Sequence, residues 1–110
     1  MQIEVKTENN ILIIKPEGSI DSKTAPDVQQ KMLEVSKDLS NVIIDLSKVD
    51  FISSAGLRVL LMVYRQIKSK NGKVVLVGVS EEITEVMSMT GFISFFELED
   101  TVVNALKTYK

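Results

Sequence analysis

The chain of 110 residues contains neither histidine nor cysteine. Without these side chains it cannot form a Ser-His-Asp triad, a Cys-His pair, a phosphohistidine or the usual zinc sites. The lack of cysteine also excludes disulfides and suits a reducing compartment. Only carboxylate, Lys, Tyr or Ser chemistry remains, and we expect a binding module rather than an enzyme, with no cofactor and no metal.

Long apolar runs and a basic block are missing as well. The longest apolar runs, such as residues 74–79, reach only strand length, and the first residues lack a signal-peptide layout. We therefore expect no membrane span and a cytoplasmic location. Thirteen Lys and Arg against 15 Asp and Glu give a formal charge of −2. Nucleic acid and anionic membrane surfaces are thus poor candidate partners.

The hydrophobic patterns predict one α/β domain over residues 1–110, with the order β-β-α-β-α-β-α-β-α. Right-handed crossovers would then give a small, mixed, mostly parallel sheet that opens with a hairpin. We expect Thr24 to cap the first helix, which would extend to Leu39, and Asn71-Gly72 to end the second. The predicted strands are residues 3–6, 11–15, 42–46, 73–79 and 95–98, and the predicted helices are 25–39, 55–70, 81–90 and 101–107.

Two serines, Ser53 and Ser54, stand where the loop after the third strand enters the second helix. The free amides of a first helical turn and the positive end of the helix dipole stabilise an anion, so a phosphate on either hydroxyl would be held there. Gly56 keeps side-chain bulk away from that approach. Serine is also among the commonest helix caps, and capping alone would explain its presence.

The second helix has an outward face that could contact a partner. Leu57, Leu60, Leu61, Tyr64 and Ile67 share one predicted core stripe at helical spacing. The opposite face carries Arg58, Met62, Arg65 and Ser69. A thioether among charges suits a contact surface, so Arg58 and Met62 are candidate partner contacts, although a solvated face would look the same.

The acidic residues admit a different interpretation. Asp45 follows a predicted central strand, as the phosphorylated aspartate of a receiver domain does, and with Asp21 and Asp50 it could suggest paired carboxylates or a Mg²⁺ site. A receiver also needs an acidic pair after an early strand, and that position holds Pro16-Glu17-Gly18 instead. We therefore prefer caps and turns for these carboxylates. A ligand-binding module without phosphorylation also stays open, and titration would test nucleotide binding.

Several spaced motifs resemble one family, the bacterial anti-sigma factor antagonists of the STAS domain type. The resemblance covers nearly the whole chain. It rests on Gly18-Ser19-Ile20-Asp21, on Asp45-Leu46-Ser47-x-Val49-x-Phe51-Ile52-x-Ser54-x-Gly56-Leu57, on Asn71-Gly72, and on Met89-Thr90-Gly91-Phe92.

The resemblance implies a phosphorylation switch at Ser54. In the family the matching serine is phosphorylated by the anti-sigma factor, itself a serine kinase, and a metal-dependent phosphatase reverses the modification. The unmodified form binds the anti-sigma factor and frees the sigma factor. Asp21 and Gly56 would support this site. Ser53 stands where close relatives have Asp and is the second candidate acceptor, whereas Ala55 removes a third. A STAS module of another signalling complex is the alternative within the fold.

Overall fold

The computed structural model describes residues 1–109, which form one six-stranded sheet with four α-helices. It confirms the predicted fold, a mixed and mostly parallel sheet that opens with an antiparallel hairpin. The elements are β1 (Gln2–Glu8), β2 (Ile11–Ile20), α1 (Ala25–Val35), β3 (Asn41–Asp45), β4 (Val49–Ile52), α2 (Ser54–Lys68), β5 (Lys73–Val77), α3 (Glu81–Thr90), a 3₁₀ turn (Phe92–Phe95), β6 (Glu97–Glu99) and α4 (Val102–Lys107).

One strand was not predicted. The strands lie in the order β1-β2-β3-β5-β6, and β4 pairs with β2 beyond the end of β3. Residues 12–14 of the long β2 pair with β3, whereas residues 18–20 pair with β4, after an irregularity at Gly18. Only the two ends of β4, Val49 and Ile52, are buried. The predicted order was therefore wrong at this point, because two consecutive exposed residues hide the alternation that marks a strand.

The sheet is covered on both faces, but unequally. Alternate residues of β2, β3 and β5 pack with α1, α2 and α3 in the larger core, which includes Ile14, Ile44 and Leu76. The intervening residues, such as Ile13 and Ile43, pack with α4 in a smaller core. This explains the continuous apolar runs in the parallel strands, since both faces of each strand are buried.

The first helix begins at Ala25 as predicted, but the contacts of its cap residue and its last residue differ from the prediction. The Thr24 side chain forms no cap hydrogen bond to α1; its hydroxyl instead donates to the Ser19 carbonyl at 2.8 Å. The helix ends at Val35 rather than Leu39, and the Lys70 ammonium group binds the carbonyls that follow. Its Nζ donates to the carbonyls of Ser36, Lys37 and Leu39 at 2.8, 2.6 and 2.8 Å.

The C-terminal third follows its capping signals. The Ser80 and Thr101 side chains accept backbone N–H groups at the starts of α3 and α4, and Gly91 ends α3 with a φ of 81°. The predicted strand at residues 95–98 begins later, at Glu97, because the 3₁₀ turn occupies Phe92–Phe95. The Tyr109 hydroxyl anchors the last described residues, since its single O–H proton is shared between carbonyls of β3 and β5 at 2.7 and 3.0 Å.

Candidate functional site

The two candidate serines occupy different positions at the start of α2. Ser53 is the N-cap, and its side-chain oxygen accepts a hydrogen bond from the Gly56 N–H at 3.3 Å. Ser54 is the first residue of the helix and is exposed. Ser53 thus caps the helix, a role that the sequence allowed for either serine. This leaves the Ser54 hydroxyl open to solvent at the end of a 15-residue helix.

A backbone hydrogen bond ties the start of α2 to the end of β2. The Ser53 N–H donates to the Ile20 carbonyl at 2.9 Å, continuing the pairing of β2 with β4. Because Asp21 directly follows Ile20, this bond brings the turn after β2 to the same end of the sheet as Ser54. The placement of Asp21 at this end of the sheet therefore depends on β4, the strand that the sequence patterns did not reveal.

Asp21 organises a tight turn at this end of the sheet. Its carboxylate accepts the backbone N–H groups of Lys23 and Thr24 at 2.9 and 3.1 Å. These bonds, led by the one from Thr24, lower the pKa of Asp21 below its ordinary value because they favour the charged form. The carboxylate is therefore ionised at neutral pH, and it holds the loop between β2 and α1 in place.

Gly56 is required by packing as well as by the helix start. A Cβ added here would lie 2.6 Å from Ile52 Cγ1, 2.8 Å from the Ile20 carbonyl oxygen and 2.9 Å from Ile20 Cγ2. Real side chains essentially never approach so closely. A glycine at this position lets the first turn of α2 lie directly against the ends of β2 and β4.

The other predicted contact residues lie farther along α2. Arg58 is exposed, one turn beyond Ser54, whereas Met62 is only partly exposed, and its role as a partner contact stays a prediction. Within the predicted core stripe, Leu61 and Tyr64 are also only partly buried. Their places in the core are taken by Val59 and Val63. The buried face of α2 is therefore turned slightly from the predicted one, and Met62 lies near its border.

The structure also shows a surface residue that the sequence patterns missed. Phe51 lies on β4, two residues before the N-cap, and 55% of its surface is exposed. An exposed aromatic ring beside a candidate binding site is a common contact feature. Because these residues were predicted as loop, the sequence offered no reason to separate Phe51 from the buried side chains around it.

The contacts of Asp45 are those of a residue that stabilises a loop. It is 6% exposed, and its Oδ1 accepts the Ser47 N–H at 3.0 Å, while Oδ2 lies 3.9 Å from Lys15 Nζ. These contacts describe a carboxylate that shapes the loop between β3 and β4. Within residues 1–109 no group of three or more acidic side chains is arranged to hold a metal ion.

The amino-acid sequence matches a known family. The family model of the STAS domain matches residues 2–105. The chain belongs to the STAS domain family. BtrV of Bordetella bronchiseptica, provisionally named an anti-sigma factor antagonist, is 31% identical to this STAS domain over 100% of the chain and 96% of its own length. The anti-sigma F factor antagonist of Paenibacillus polymyxa is 28% identical, with 96% of this chain and 92% of that protein covered.

A solved structure agrees with these sequence comparisons. The crystal structure of an anti-sigma factor antagonist from Mycobacterium paratuberculosis superimposes on this STAS domain with a TM-score of 0.87 at 28% identity. The match covers 97% of this chain and 92% of that one. Over the described residues, no helix of this STAS domain combines the length and apolar character needed to cross a membrane.

Proposed function

We propose that this STAS domain is an anti-sigma factor antagonist whose binding is switched off by phosphorylation of Ser54. Family membership and the names of the relatives support the general role. The observation that supports the switch is the position of Ser54. It is exposed as the first residue of α2, next to the N-cap residue Ser53. A kinase can reach the Ser54 hydroxyl without unfolding the helix.

The proposed switch is local and electrostatic. A phosphate adds about −1.5 to −2 charge at pH 7 and three acceptor oxygens. At Ser54 these oxygens would face the free N–H groups of the first helical turn, which favour an anion. The fold therefore tolerates the modified residue, whereas a partner docked over the helix start must bury the added charge.

The cost of burying that charge sets the size of the switch. If repulsion and desolvation come to about 3 kcal/mol, affinity for the partner falls roughly a hundredfold. Asp21 already carries a negative charge in the turn at the same end of the sheet, so a partner that covers this end must desolvate a second anion once Ser54 is phosphorylated. Phe51 and Arg58 flank Ser54 along the chain and are the exposed contacts that we propose for this surface.

The proposed partners follow from the same site. An anti-sigma factor that is itself a serine kinase binds the unmodified domain, releases its sigma factor and phosphorylates Ser54. A metal-dependent serine phosphatase restores the unmodified form. The domain regulates transcription indirectly and catalyses no step itself, since each phosphoryl transfer is performed by a partner. Ser53 is the second candidate acceptor, but its oxygen is already engaged with the Gly56 N–H.

The test uses three proteins, the wild type and the variants Ser53→Ala and Ser54→Ala. Each is mixed with ATP and candidate anti-sigma factor kinases from the same organism, and its intact mass is measured. We expect the wild type and Ser53→Ala to gain one phosphate and Ser54→Ala to gain none. Binding of the unmodified and phosphorylated wild type to the same kinase should then differ roughly a hundredfold.

Other outcomes would contradict specific parts of this proposal. A phosphate that persists in Ser54→Ala but not in Ser53→Ala would move the acceptor to Ser53. Absence of phosphate with every kinase, together with unchanged binding, would indicate a STAS module of another signalling complex without a phosphorylation switch.

A further inference from the structure

Charge is distributed unevenly along this chain. Residues 74–106 contain six carboxylates and no Lys or Arg, whereas the remaining residues carry 13 basic and nine acidic side chains. The whole chain has a formal charge of only −2, but residues 74–106 are therefore strongly acidic. That region comprises most of β5 together with α3, the 3₁₀ turn, β6 and the first part of α4.

Part of this region forms a groove beside α3, at the β6 edge of the sheet. Two depressions of about 650 and 220 Å³ share Val79 and Thr84 and so adjoin one another. Apolar side chains contribute to the lining at Val79, Ile93 and Leu98. We call this the acidic groove, because its lining also includes the carboxylates of Glu81, Glu82, Glu85, Glu99 and Asp100.

The carboxylates of the acidic groove are available to a partner. The ion pairs found within residues 1–109 are Lys15–Asp45 and Lys73–Glu97, and neither involves a groove residue. In that part of the chain the acidic side chains form no cluster of three that could hold a metal ion. Spaced carboxylates around apolar side chains fit a polypeptide with spaced cations better than a single bound ion.

We propose that the acidic groove binds a basic segment of a partner protein, in which Lys or Arg side chains alternate with apolar ones. Apolar side chains of the segment would pack on Val79, Ile93 and Leu98, and its cations would meet the surrounding carboxylates. The groove residues do not include Ser54, so this inference does not depend on the phosphorylation switch.

A second copy of the chain fits the acidic groove less well than a different protein does. The groove would have to contact a basic surface elsewhere on the copy, because two acidic grooves facing each other would repel. Such a head-to-tail contact leaves one groove free on every open assembly, so association either closes into a ring, in which all grooves are filled, or continues into a filament. A separate basic partner avoids this problem.

The binding test titrates the intact ¹⁵N-labelled protein with a short peptide of alternating Lys and Val residues. Amide shifts should change around residues 78–100. A matched peptide of alternating Lys and Ser carries the same charge but cannot use the apolar lining, and it should bind about tenfold more weakly.

Two triple variants separate the groove from general attraction between opposite charges. Glu81→Gln, Glu85→Gln and Glu99→Gln together should weaken binding of the Lys-Val peptide about tenfold. The control removes three exposed carboxylates outside the groove, at Glu8, Glu17 and Glu34, and should change binding less than about twofold. Circular dichroism would confirm that both variants keep the fold.

Several results would overturn the proposal. Equal losses in the two triple variants, or equal binding of the two peptides, would show that net charge alone attracts the peptide. Shifts spread over the whole domain would have the same meaning. If sedimentation shows concentration-dependent assembly of the wild type that the groove variant loses, the occupant of the groove is a second copy of this chain.

Discussion

Replacing Gly56 by alanine tests the packing at the start of α2. The added Cβ would meet three atoms at 2.6 to 2.9 Å, two in the Ile20 residue and one in the Ile52 side chain. One of these atoms is the Ile20 carbonyl oxygen, which accepts the Ser53 N–H at 2.9 Å. The oxygen cannot withdraw without disturbing the bond that joins α2 to β2. We therefore expect Gly56→Ala to move the helix start or strain its contacts.

The magnitude follows from two opposing effects. Alanine is favoured over glycine within a helix by about 1 kcal/mol. Overpacking a close contact typically costs about 1–3 kcal/mol, and occasionally more. Three contacts shorter than 3 Å, one of them with the backbone, place Gly56→Ala at or above the upper end of that range. We expect a net loss of about 2 kcal/mol in the free energy of unfolding, or roughly 10 °C in Tm.

Urea and thermal unfolding followed by circular dichroism would measure this loss. Gly91→Ala is the control, because its added Cβ meets no atom within 4 Å and its φ of 81° supplies only a conformational cost. That cost is about 1 kcal/mol. A Gly56→Ala protein as stable as the wild type, or more stable, would show that helix propensity prevails and would refute the packing argument.

Two further predictions concern the hydrogen bonds of the Lys70 and Tyr109 side chains to backbone carbonyls. Lys70→Met removes the three hydrogen bonds to the carbonyls after α1 and should lower the free energy of unfolding in urea by about 1–3 kcal/mol. The control Lys68→Met, at an exposed position, should change it by less than about 0.5 kcal/mol. Equal effects would contradict the special role of Lys70. Tyr109→Phe removes the hydrogen bond that the hydroxyl shares between two carbonyls and should cost about 1 kcal/mol at neutral pH. Burial raises the pKa of Tyr109, so its unfolded form ionises first. The stability advantage of wild type over Tyr109→Phe should therefore be full below about pH 10 and decline as the pH rises above it, and pH-independent differences would exclude this linkage.

The two serines of the candidate site show what sequence patterns can and cannot predict. Ser53 and Ser54 were both compatible with a helix cap and with a phosphoacceptor, because each hydroxyl stood near the same predicted helix start. The folded chain separates them, since Ser53 accepts the Gly56 N–H while Ser54 is exposed. A shift of one residue in the helix start decides which serine is the N-cap and which is the first helical residue. Sequence patterns locate helix ends less precisely than that.

The sequence alone determined the fold class and most element positions. Buried parallel strands need continuous apolar runs, and helices need caps and 3.6-residue spacing, so both leave local signals such as Ser80, Thr101 and Gly91. Only the tertiary structure decided features that depend on distant residues. The strand β4 exists through its pairing with the far end of β2, and the carbonyls that follow α1 are bound by the distant Lys70. The acidic groove likewise forms only when α3, the 3₁₀ turn and β6 pack together, because packing decides which side chains of these consecutive elements share one surface.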